Sequence, residues 1–378
     1  MPMSIQSRMR SPTEMVFPDV ALEQPARFEP ADGAVLVMDP LQNPAAWDAL
    51  VAADANASFF HTSAWARVLH ETYGHAPVYF FRRNAGQASQ VLPVMEVNSP
   101  WTGRRGVSLP FTDECPLLGV SAREDSGELY EKVAEYGRAR GWKYLETRGG
   151  RAASRVATPS VAYFGHQLDL VRSESDLFAA LDGSVRRGIR KAEGAGLKVE
   201  LGNGLGAMRA FYRLHCRTRR RHGVPPQPFR FFENIARDVL AERHGCVFTV
   251  SCQNRVVAAA VFFRYGRRAI YKFGASDPAF QALRPNNLLM WEAIKWHARL
   301  GLASLHLGRT SLFADGLRRF KLGFGAREER IEYCRYDFAS ASFVTGRDRS
   351  ESWLNSVFRC LPLPVLRLAG HMLYPHLS

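Results

Sequence analysis

With 378 residues, the chain is long enough for two domains of ordinary size, each with a well-formed hydrophobic core. Its hydrophobic content of 46% and charged content of 23% are typical of a soluble globular protein, and no run of eighteen apolar residues predicts a transmembrane helix. The six cysteines are widely spaced and form no CxxC pair, so we expect neither a zinc site nor a disulfide framework, and no bound metal. The formal net charge of +14 predicts attraction to a polyanion.

The N-terminal half alternates between predicted helices and strands. Residues 1–33 lack periodicity and are predicted to form a mobile segment. Arg8 and Arg10 precede no apolar signal-peptide core, so we expect a cytoplasmic protein, with the inner face of the membrane as the alternative location. From residue 34 onward the pattern predicts helices that begin at Pro44 and cover Ser63–Tyr73 and 126–141, and strands over 77–82, 90–97 and 142–147. This order is typical of a mixed α/β domain, which we place at residues 34–165.

The C-terminal half repeats this alternation. The pattern predicts strands over 247–252, 256–264, 268–274 and 303–307, and helices over 182–195, 206–222 and 288–300, the last capped by Asn286 or Asn287. These elements form the second predicted domain, residues 166–340, which would carry the catalytic cleft. Residues 341–378 form an amphipathic tail, whose leucines either pack on the body, the commoner outcome, or make a peripheral membrane contact.

The most informative segment joins the last predicted strand to a short basic helix. The strand 303–307 runs into a polar turn at 308–310, and the helix that follows carries Arg318, Arg319 and Lys321. Cations placed where a strand ends in a cleft are suited to hold an anionic ligand or a developing oxyanion. Lys321 is the best candidate for a cation that stabilises a tetrahedral oxyanion. Arg309 and His306, from the same motif, complete the predicted catalytic set, while Arg318 and Arg319 are predicted to bind substrate.

Most of the excess positive charge lies in residues 182–230, which hold twelve Lys or Arg against three acids. Arginines recur every four residues along the second helix of this segment and form one stripe: Arg209, Arg213, Arg217 and Arg221. No carboxylate in that helix relieves their repulsion. Two interpretations are therefore equally consistent with the pattern: the stripe contacts a ligand or polyanion, or it is a solvated surface. In the first helix, Arg187, Arg190 and Lys191 share a side, which suits a phosphate-bearing substrate or an RNA backbone.

Two further candidates for substrate binding are Tyr271 and Asn286. Tyr271 lies in a strand that ends near Gly274, and Asn286 lies where the next helix begins. A helix N-terminus offers unpaired N–H groups for an anion or a carbonyl oxygen, although structural caps use the same residue types.

In this order, these segments resemble the FemAB-like branch of the GNAT acyltransferase superfamily, over about residues 43–336. The motifs that carry the resemblance are FFH at 59–61, YGH at 73–75, VRRGIRKAE at 185–193, TRRRHGVPPQP at 218–228, GAS at 274–276, RPN at 284–286, GRT at 308–310 and GLRRFK at 316–321. The resemblance implies an α/β (α+β) fold of two tandem GNAT-like mixed-sheet domains, with a substrate cleft between them.

The resemblance also implies an activity and roles for residues. It implies transfer of an aminoacyl or acyl group to an amine or hydroxyl of an anionic cell-envelope glycan precursor, for peptidoglycan or exopolysaccharide. Lys321 would stabilise the transition state, and Arg187, Arg190 and Lys191 would hold the diphosphate of the precursor. The family often has an acidic residue before the Gly-Arg-Ser/Thr turn, and this chain has His306 there.

No bound cofactor is expected, and the acyl donor is a co-substrate, either aminoacyl-tRNA or acyl-CoA. Acyl-CoA enzymes of the superfamily hold the pyrophosphate with a loop of the form Q/R-x-x-G-x-G/A. The nearest match is 281–286, where Arg284 and Asn286 replace the glycines and Pro285 lacks an N–H. The basic stripe therefore fits aminoacyl-tRNA better. Two other functions stay open: a non-catalytic RNA-binding protein that uses residues 182–230, and a membrane-surface adaptor that uses residues 353–377.

Overall fold

Two β-sheets surrounded by helices make up the described part of the chain, which in the computed structural model comprises residues 34–84, 87–119, 126–150, 158–346 and 353–377. The predicted N-terminal segment, 1–33, lies outside these residues. The strands are β1 (Val35–Met38), β2 (Ala76–Pro77), β3 (Tyr79–Asn84), β4 (Gln87–Leu92), β5 (Met95–Ser99), β6 (Gly103–Ser108), β7 (Tyr144–Arg148), β8 (Val161–Asp169), β9 (Lys198–Gly202), β10 (Gly245–Cys252), β11 (Arg255–Tyr265), β12 (Arg268–Ser276), β13 (Ser304–His306), β14 (Thr310–Ser311), β15 (Arg327–Asp337) and β16 (Ser342–Phe343). The helices are α1 (Pro44–Ala52), α2 (Ser63–Tyr73), α3 (Gly127–Ala139), α4 (Glu174–Ala179), α5 (Gly183–Gly194), α6 (Leu205–Arg221), α7 (Phe229–Ile235), α8 (Pro285–Arg299), α9 (Asp315–Leu322), α10 (Trp353–Cys360) and α11 (Leu363–Leu373).

The larger sheet runs through both predicted domains. Within the described residues it has thirteen strands, in the order β2-β5-β6-β7-β15-β8-β13-β12-β11-β10-β9, with β14 on β8 and β16 on β15. Parallel pairs, β6 with β7 and β12 with β13, occur among antiparallel ones, so the sheet is mixed. β15 joins the two halves because it pairs with β7 on one side and with β8 on the other. The predicted domain boundary at residue 165 falls inside β8 and stays a prediction.

Helices cover the larger sheet on both faces around β11. Ala259, Val261 and Phe263 belong to the core that includes residues of α2, α6 and α7, whereas Ala260 and Phe262 belong to the core that includes residues of α5 and α8. This alternation follows the two-residue period of a strand. Because both faces are buried, β11 is a nearly continuous run of apolar residues.

β12 and β13 separate soon after they pair. Their parallel register covers only 268–270 against 304–306. Beyond that point β12 continues to Ser276 along β11, while the chain after β13 turns and pairs with β8 at Thr310. The sheet therefore opens between β12 and the turn after β13, and this opening positions the candidate site.

Two sequence-based predictions about elements are wrong. The predicted strand 90–97 is two strands in different sheets, β4 and β5, because Pro93 between them has no N–H to continue a ladder. The predicted helix 288–300 begins at Pro285, and its N-cap is Arg284 in the left-handed region, with φ of 60°, rather than Asn286 or Asn287.

The C-terminal tail packs on the body through one face. Leu366 and Tyr374 are buried, and an ideal Cβ on Gly370 would lie 2.0 Å from the carbonyl oxygen of Pro226. The Tyr374 hydroxyl donates to the carbonyl of Pro225 at 3.1 Å. These contacts attach the tail to the proline-rich loop after α6. In the part of the chain that the structure describes, no helix combines the length and apolarity needed to cross a bilayer.

Candidate active site

The turn after β13 presents two backbone carbonyls to the opening of the sheet. Gly308 has φ of 74°, in the left-handed region that glycine adopts without a steric penalty. A Cβ at this position would also lie 3.1 Å from the carbonyl oxygen of Tyr271. A glycine is therefore required here to direct the chain past β12.

Lys321 lies on α9, which brings its side chain back to this turn. Its Nζ donates to the carbonyl oxygens of Gly308 at 2.7 Å and Arg309 at 3.0 Å, and the residue is only 2% exposed. An ammonium group has three donors, so these two bonds fix Lys321 and leave one N–H for a ligand. Burial lowers the pKa of Lys321 to about 8, although the carboxylate of Asp113 favours the charged form.

A buried ion pair connects the two halves beside Lys321. Lys272 of β12 and Asp113, in the loop after β6, are 3.0 Å apart from Nζ to Oδ2, and their side chains are 6% and 11% exposed. Burial alone would raise the pKa of Asp113, but Lys272, Arg309 and His306 together lower it. Burial lowers the pKa of Lys272, and Asp113 offsets part of that shift. We interpret the pair as ionised.

Arg309 connects the same turn to aromatic residues. Its guanidinium lies 4.5 Å from the ring centroid of Tyr163, and its Nη1 donates to the Tyr333 hydroxyl at 2.6 Å. That hydroxyl donates in turn to the backbone carbonyl of Asp113 at 2.6 Å. These bonds hold the Asp113 loop against the turn that carries Arg309.

A cavity of about 540 Å³ fills the opening between β12 and the turn after β13. Its walls include the end of α6, the start of α8 and the side of α9. Among the residues that the structure describes, its lining contains one carboxylate and four Lys or Arg side chains: Asp113, Arg221, Lys272, Arg309 and Lys321. The volume suits a small-molecule ligand, and the excess of positive charge suits an anionic one.

Four of the predicted site residues line this cavity: Lys321, Arg309, Tyr271 and Asn286. Burial raises the pKa of Tyr271 to about 12, so its phenol stays neutral at physiological pH. The Asn286 Nδ2 donates to Ser276 Oγ at 3.1 Å, which orients the amide at the cavity wall.

The other predicted site residues lie outside this cavity: His306, Arg187, Arg190, Lys191, Arg213, Arg217, Arg318 and Arg319. Arg318 makes two bonds to Glu328, at 2.6 and 2.9 Å. Arg217 lies 3.6 Å from Asp277, so a carboxylate from outside α6 relieves part of the repulsion in the arginine stripe. The remaining cations of this set are exposed. Their roles toward a substrate stay predictions.

His306 lines a separate, smaller cavity of about 80 Å³, together with Glu114. Glu114, His306 and Glu329 place their ligand atoms within 4.8 Å of one another, a spacing that could hold a metal ion. However, the backbone N–H of Gly308 donates to His306 Nδ1 at 3.1 Å, so Nε2 carries the ring proton and lies 3.4 Å from Glu329 Oε1. Metal binding at Nε2 would displace this proton while Nδ1 still accepts from Gly308, so we interpret the cluster as a protonated Nε2 in contact with the Glu329 carboxylate.

Sequence reasoning missed Asp113 and Lys272. Lys272 lies next to Tyr271 in a strand whose end is a candidate ligand site, so the local sequence pattern could have identified it. No local pattern identifies Asp113, because it lies in the other half of the chain and meets Lys272 only through the pairing of the sheet.

Comparisons with known proteins concern the family and the fold of this chain. The family model of the acetyltransferase (GNAT) domain matches residues 181–328, which include β12, the turn after β13 and Lys321. Residues 181–328 form a GNAT domain. GNAT acyltransferases use acyl-CoA as a co-substrate and need no metal. No curated protein matches the chain by sequence.

Solved structures with the fold of this chain include tandem GNAT proteins. FemX is 13% identical, with a TM-score of 0.64 over 81% of this chain and 98% of FemX. The C-terminal domain of a protein named as a lysylphosphatidylglycerol synthetase, from Agrobacterium fabrum, is 15% identical, with a TM-score of 0.53 over 80% and 93%. A tandem GNAT protein from the clavulanic acid biosynthesis pathway is 11% identical, with a TM-score of 0.52 over 80% and 98%. These likenesses show the mixed α/β GNAT fold, and the FemAB-like resemblance fits them.

Proposed function

We propose that the cavity at Lys321 transfers an acyl or aminoacyl group to an amine or hydroxyl of an anionic cell-envelope glycan precursor. The observation that carries this proposal is the buried ammonium of Lys321 at the cavity wall of a GNAT domain, held by two carbonyls with one donor left over. A fixed cation in a water-poor site stabilises the negative charge that a carbonyl oxygen gains during acyl transfer.

The reaction needs positioning and charge stabilisation rather than a covalent enzyme intermediate. The acceptor nitrogen or oxygen attacks the donor carbonyl carbon, and Lys321 would stabilise the resulting oxyanion. Collapse breaks the bond to the ribose oxygen of tRNA or to the sulfur of CoA, and this leaving group takes the acceptor's proton. Among the described residues that line the cavity there is no cysteine, and the hydroxyls of Thr218 and Ser276 bond to backbone or amide groups rather than to a histidine or carboxylate base, so direct transfer is the simplest route.

The charges around the cavity support an anionic acceptor. Because Asp113 pairs with Lys272, three lining cations stay in excess: Arg221, Arg309 and Lys321. A diphosphate-linked glycan precursor carries the complementary charge. FemX and the Agrobacterium fabrum domain have the same fold, and the second is named for synthesis of a membrane phospholipid, so fold analogy supports a role in the cell envelope.

The donor we favour is aminoacyl-tRNA. The exposed arginines of α6 follow the helix toward the cavity, and the last of them, Arg221, lines it. An RNA backbone along this stripe would reach the cavity at its end. At the start of α8, where a CoA pyrophosphate would be held, Pro285 offers no N–H.

The direct test combines glycan precursors, nucleotide-linked or lipid-linked, with either aminoacyl-tRNAs or a panel of acyl-CoAs, and detects products by mass spectrometry. We expect a mass increase on a precursor with aminoacyl-tRNA. An increase that survives removal of all aminoacyl-tRNA but requires acyl-CoA would contradict the donor assignment and leave acyl transfer standing. No product with any combination, together with tight salt-dependent RNA binding, would favour the RNA-binding alternative instead.

Replacing two arginines of the stripe separates the donors. We expect Arg213→Ala/Arg217→Ala to raise the KM for aminoacyl-tRNA by about tenfold, because two phosphate contacts are lost, and to leave any KM for acyl-CoA unchanged. A matched control, Arg138→Ala/Arg172→Ala, removes two exposed cations elsewhere. Equal effects of the two double variants on the KM would indicate a general charge effect and contradict a tRNA contact along α6.

The pH dependence of turnover should report Lys321. Since its pKa is lowered to about 8, the cation is present below that pH and is lost as the pH rises through it. We expect kcat to fall about tenfold for each pH unit above pH 8. If the lysine had the ordinary pKa of an exposed side chain, the decline would begin only at about pH 10. In Lys321→Arg the guanidinium stays charged, so whatever turnover this variant keeps should lack the alkaline decline. An unchanged decline in that variant would assign it to another group.

A further inference from the structure

We propose that the C-terminal helices α10 and α11 dock the protein on an anionic lipid bilayer. The docking surface, here called the outer face, consists of five exposed apolar side chains: Leu354, Val357, Val365, Leu368 and Met372.

The outer face exists because α11 is apolar on two opposite sides. Leu366 and Gly370 are buried against the body, as described above. Val365, Leu368 and Met372 recur at helical spacing on the opposite side and are 47%, 60% and 54% exposed. A helix that packs on the body through one side needs one apolar stripe. The second, exposed stripe of α11 therefore indicates another apolar partner.

The charges beside the outer face identify that partner. Residues 353–377 contain no Asp or Glu. Arg359 and Arg367 in these helices are exposed, as are Arg220 and Arg221 at the end of α6. Apolar side chains flanked by arginines are typical of helices that lie in the headgroup region of an anionic membrane. A second copy of the chain, in contrast, would bring the same arginines and no carboxylate from residues 353–377, so like charges would face each other across a contact made by these helices.

The outer face adjoins the cavity mouth, which is defined here by the exposed lining residues Arg221 and His222. α10 packs against the end of α6, where an ideal Cβ on Gly223 would lie 2.0 Å from the Asn355 carbonyl oxygen. Arg359 is near enough to contribute to the lowered pKa of His222, after burial, Arg221 and Arg219. His222 and Arg221 line the cavity. A docked protein would hold this mouth beside the lipid surface, where a lipid-linked acceptor resides. This last step rests on the proposed function, whereas docking itself does not.

Vesicle flotation of the full chain tests the docking. The vesicles are phosphatidylcholine alone or phosphatidylcholine with phosphatidylglycerol, at low and physiological salt. We expect at least about tenfold more protein on the anionic vesicles, with less at higher salt. Leu368→Glu/Met372→Glu should lose this binding about tenfold or more, because carboxylates replace apolar contacts and repel the lipid. The control, Val171→Glu/Leu201→Glu, changes two exposed apolar residues elsewhere and should float like the wild type.

Three results would overturn the proposal. The first is wild-type protein that does not float, and the second is a Leu368→Glu/Met372→Glu variant that floats as the wild type does. The third is a wild-type dimer in light scattering that this variant abolishes, since the outer face would then bind a second copy. Because all substituted residues are exposed, equal thermal midpoints should verify that the variants fold. No substrate enters this assay, so failure of docking is distinguishable from failure of acyl transfer.

Discussion

Replacing Lys321 with alanine should lower the turnover number for acyl transfer by about 100- to 1,000-fold, the effect of removing a preorganised oxyanion-stabilising donor. The affinity for the acyl donor should change much less, because Lys321 acts on charge that develops only in the transition state. The buried position of Lys321 and its two carbonyl partners make this the largest catalytic effect that we expect from a single substitution. Steady-state kinetics and equilibrium donor binding measure the two quantities separately.

Two variants control this experiment. Lys321→Met keeps most of the side-chain volume without the charge, so a similar loss there assigns the effect to the ammonium rather than to a void. Lys132→Ala removes an exposed lysine of α3 that pairs with Glu135 and should keep wild-type turnover. If both Lys321→Ala and Lys321→Met turned over at the wild-type rate, our main residue assignment would be wrong.

Asp113→Ala should cause the largest loss of stability, about 3–5 kcal/mol in the free energy of unfolding at neutral pH, because it leaves Lys272 charged and unpaired in a buried site. The pKa of Lys272 is already lowered by burial and would fall further without Asp113. The loss should therefore shrink as the pH rises and Lys272 becomes neutral. Urea denaturation at neutral and alkaline pH measures both effects.

The double variant Asp113→Ala/Lys272→Met is the matched control. It replaces both charges, leaves no buried unpaired ion, and should recover a large part of the stability that Asp113→Ala loses. The same two changes should act non-additively, since the side chains are in direct contact. Equal destabilisation by the single and double variants, without pH dependence, would show that Asp113 stabilises the fold by packing alone.

Local patterns in the sequence predicted the turn and the helix that position Lys321. The helix that carries Lys321 ends at Leu322, directly before Gly323, and the turn at Gly308 needs a left-handed conformation that glycine adopts without strain. α2 occupies the predicted range because Thr62 caps one end and Gly74 ends the other. Caps, glycines and periodicity act over a few residues, and for that reason they can be recognised without the fold.

Other parts of the fold have no such local signature. β15 carries charged residues over much of its length, yet it lies inside the large sheet because β7 and β8 pair with both of its edges. Similarly, His306 belongs to the same motif as Lys321, but the pairing of β13 places it beside Glu114 and Glu329 rather than in the larger cavity.

The sequence by itself determined that a basic helix follows a strand and a glycine turn, and that Lys321 is the cation to test. The tertiary structure decided which cations meet the cavity: Lys321 bonds to the turn, while Arg318, three residues earlier on α9, pairs with Glu328 of β15. It also decided that Asp113 pairs with Lys272, although the two residues lie 159 positions apart in the sequence. The physical reason is that helix spacing depends on neighbours along the chain, whereas the partner of a buried charge depends on strands brought together from both halves.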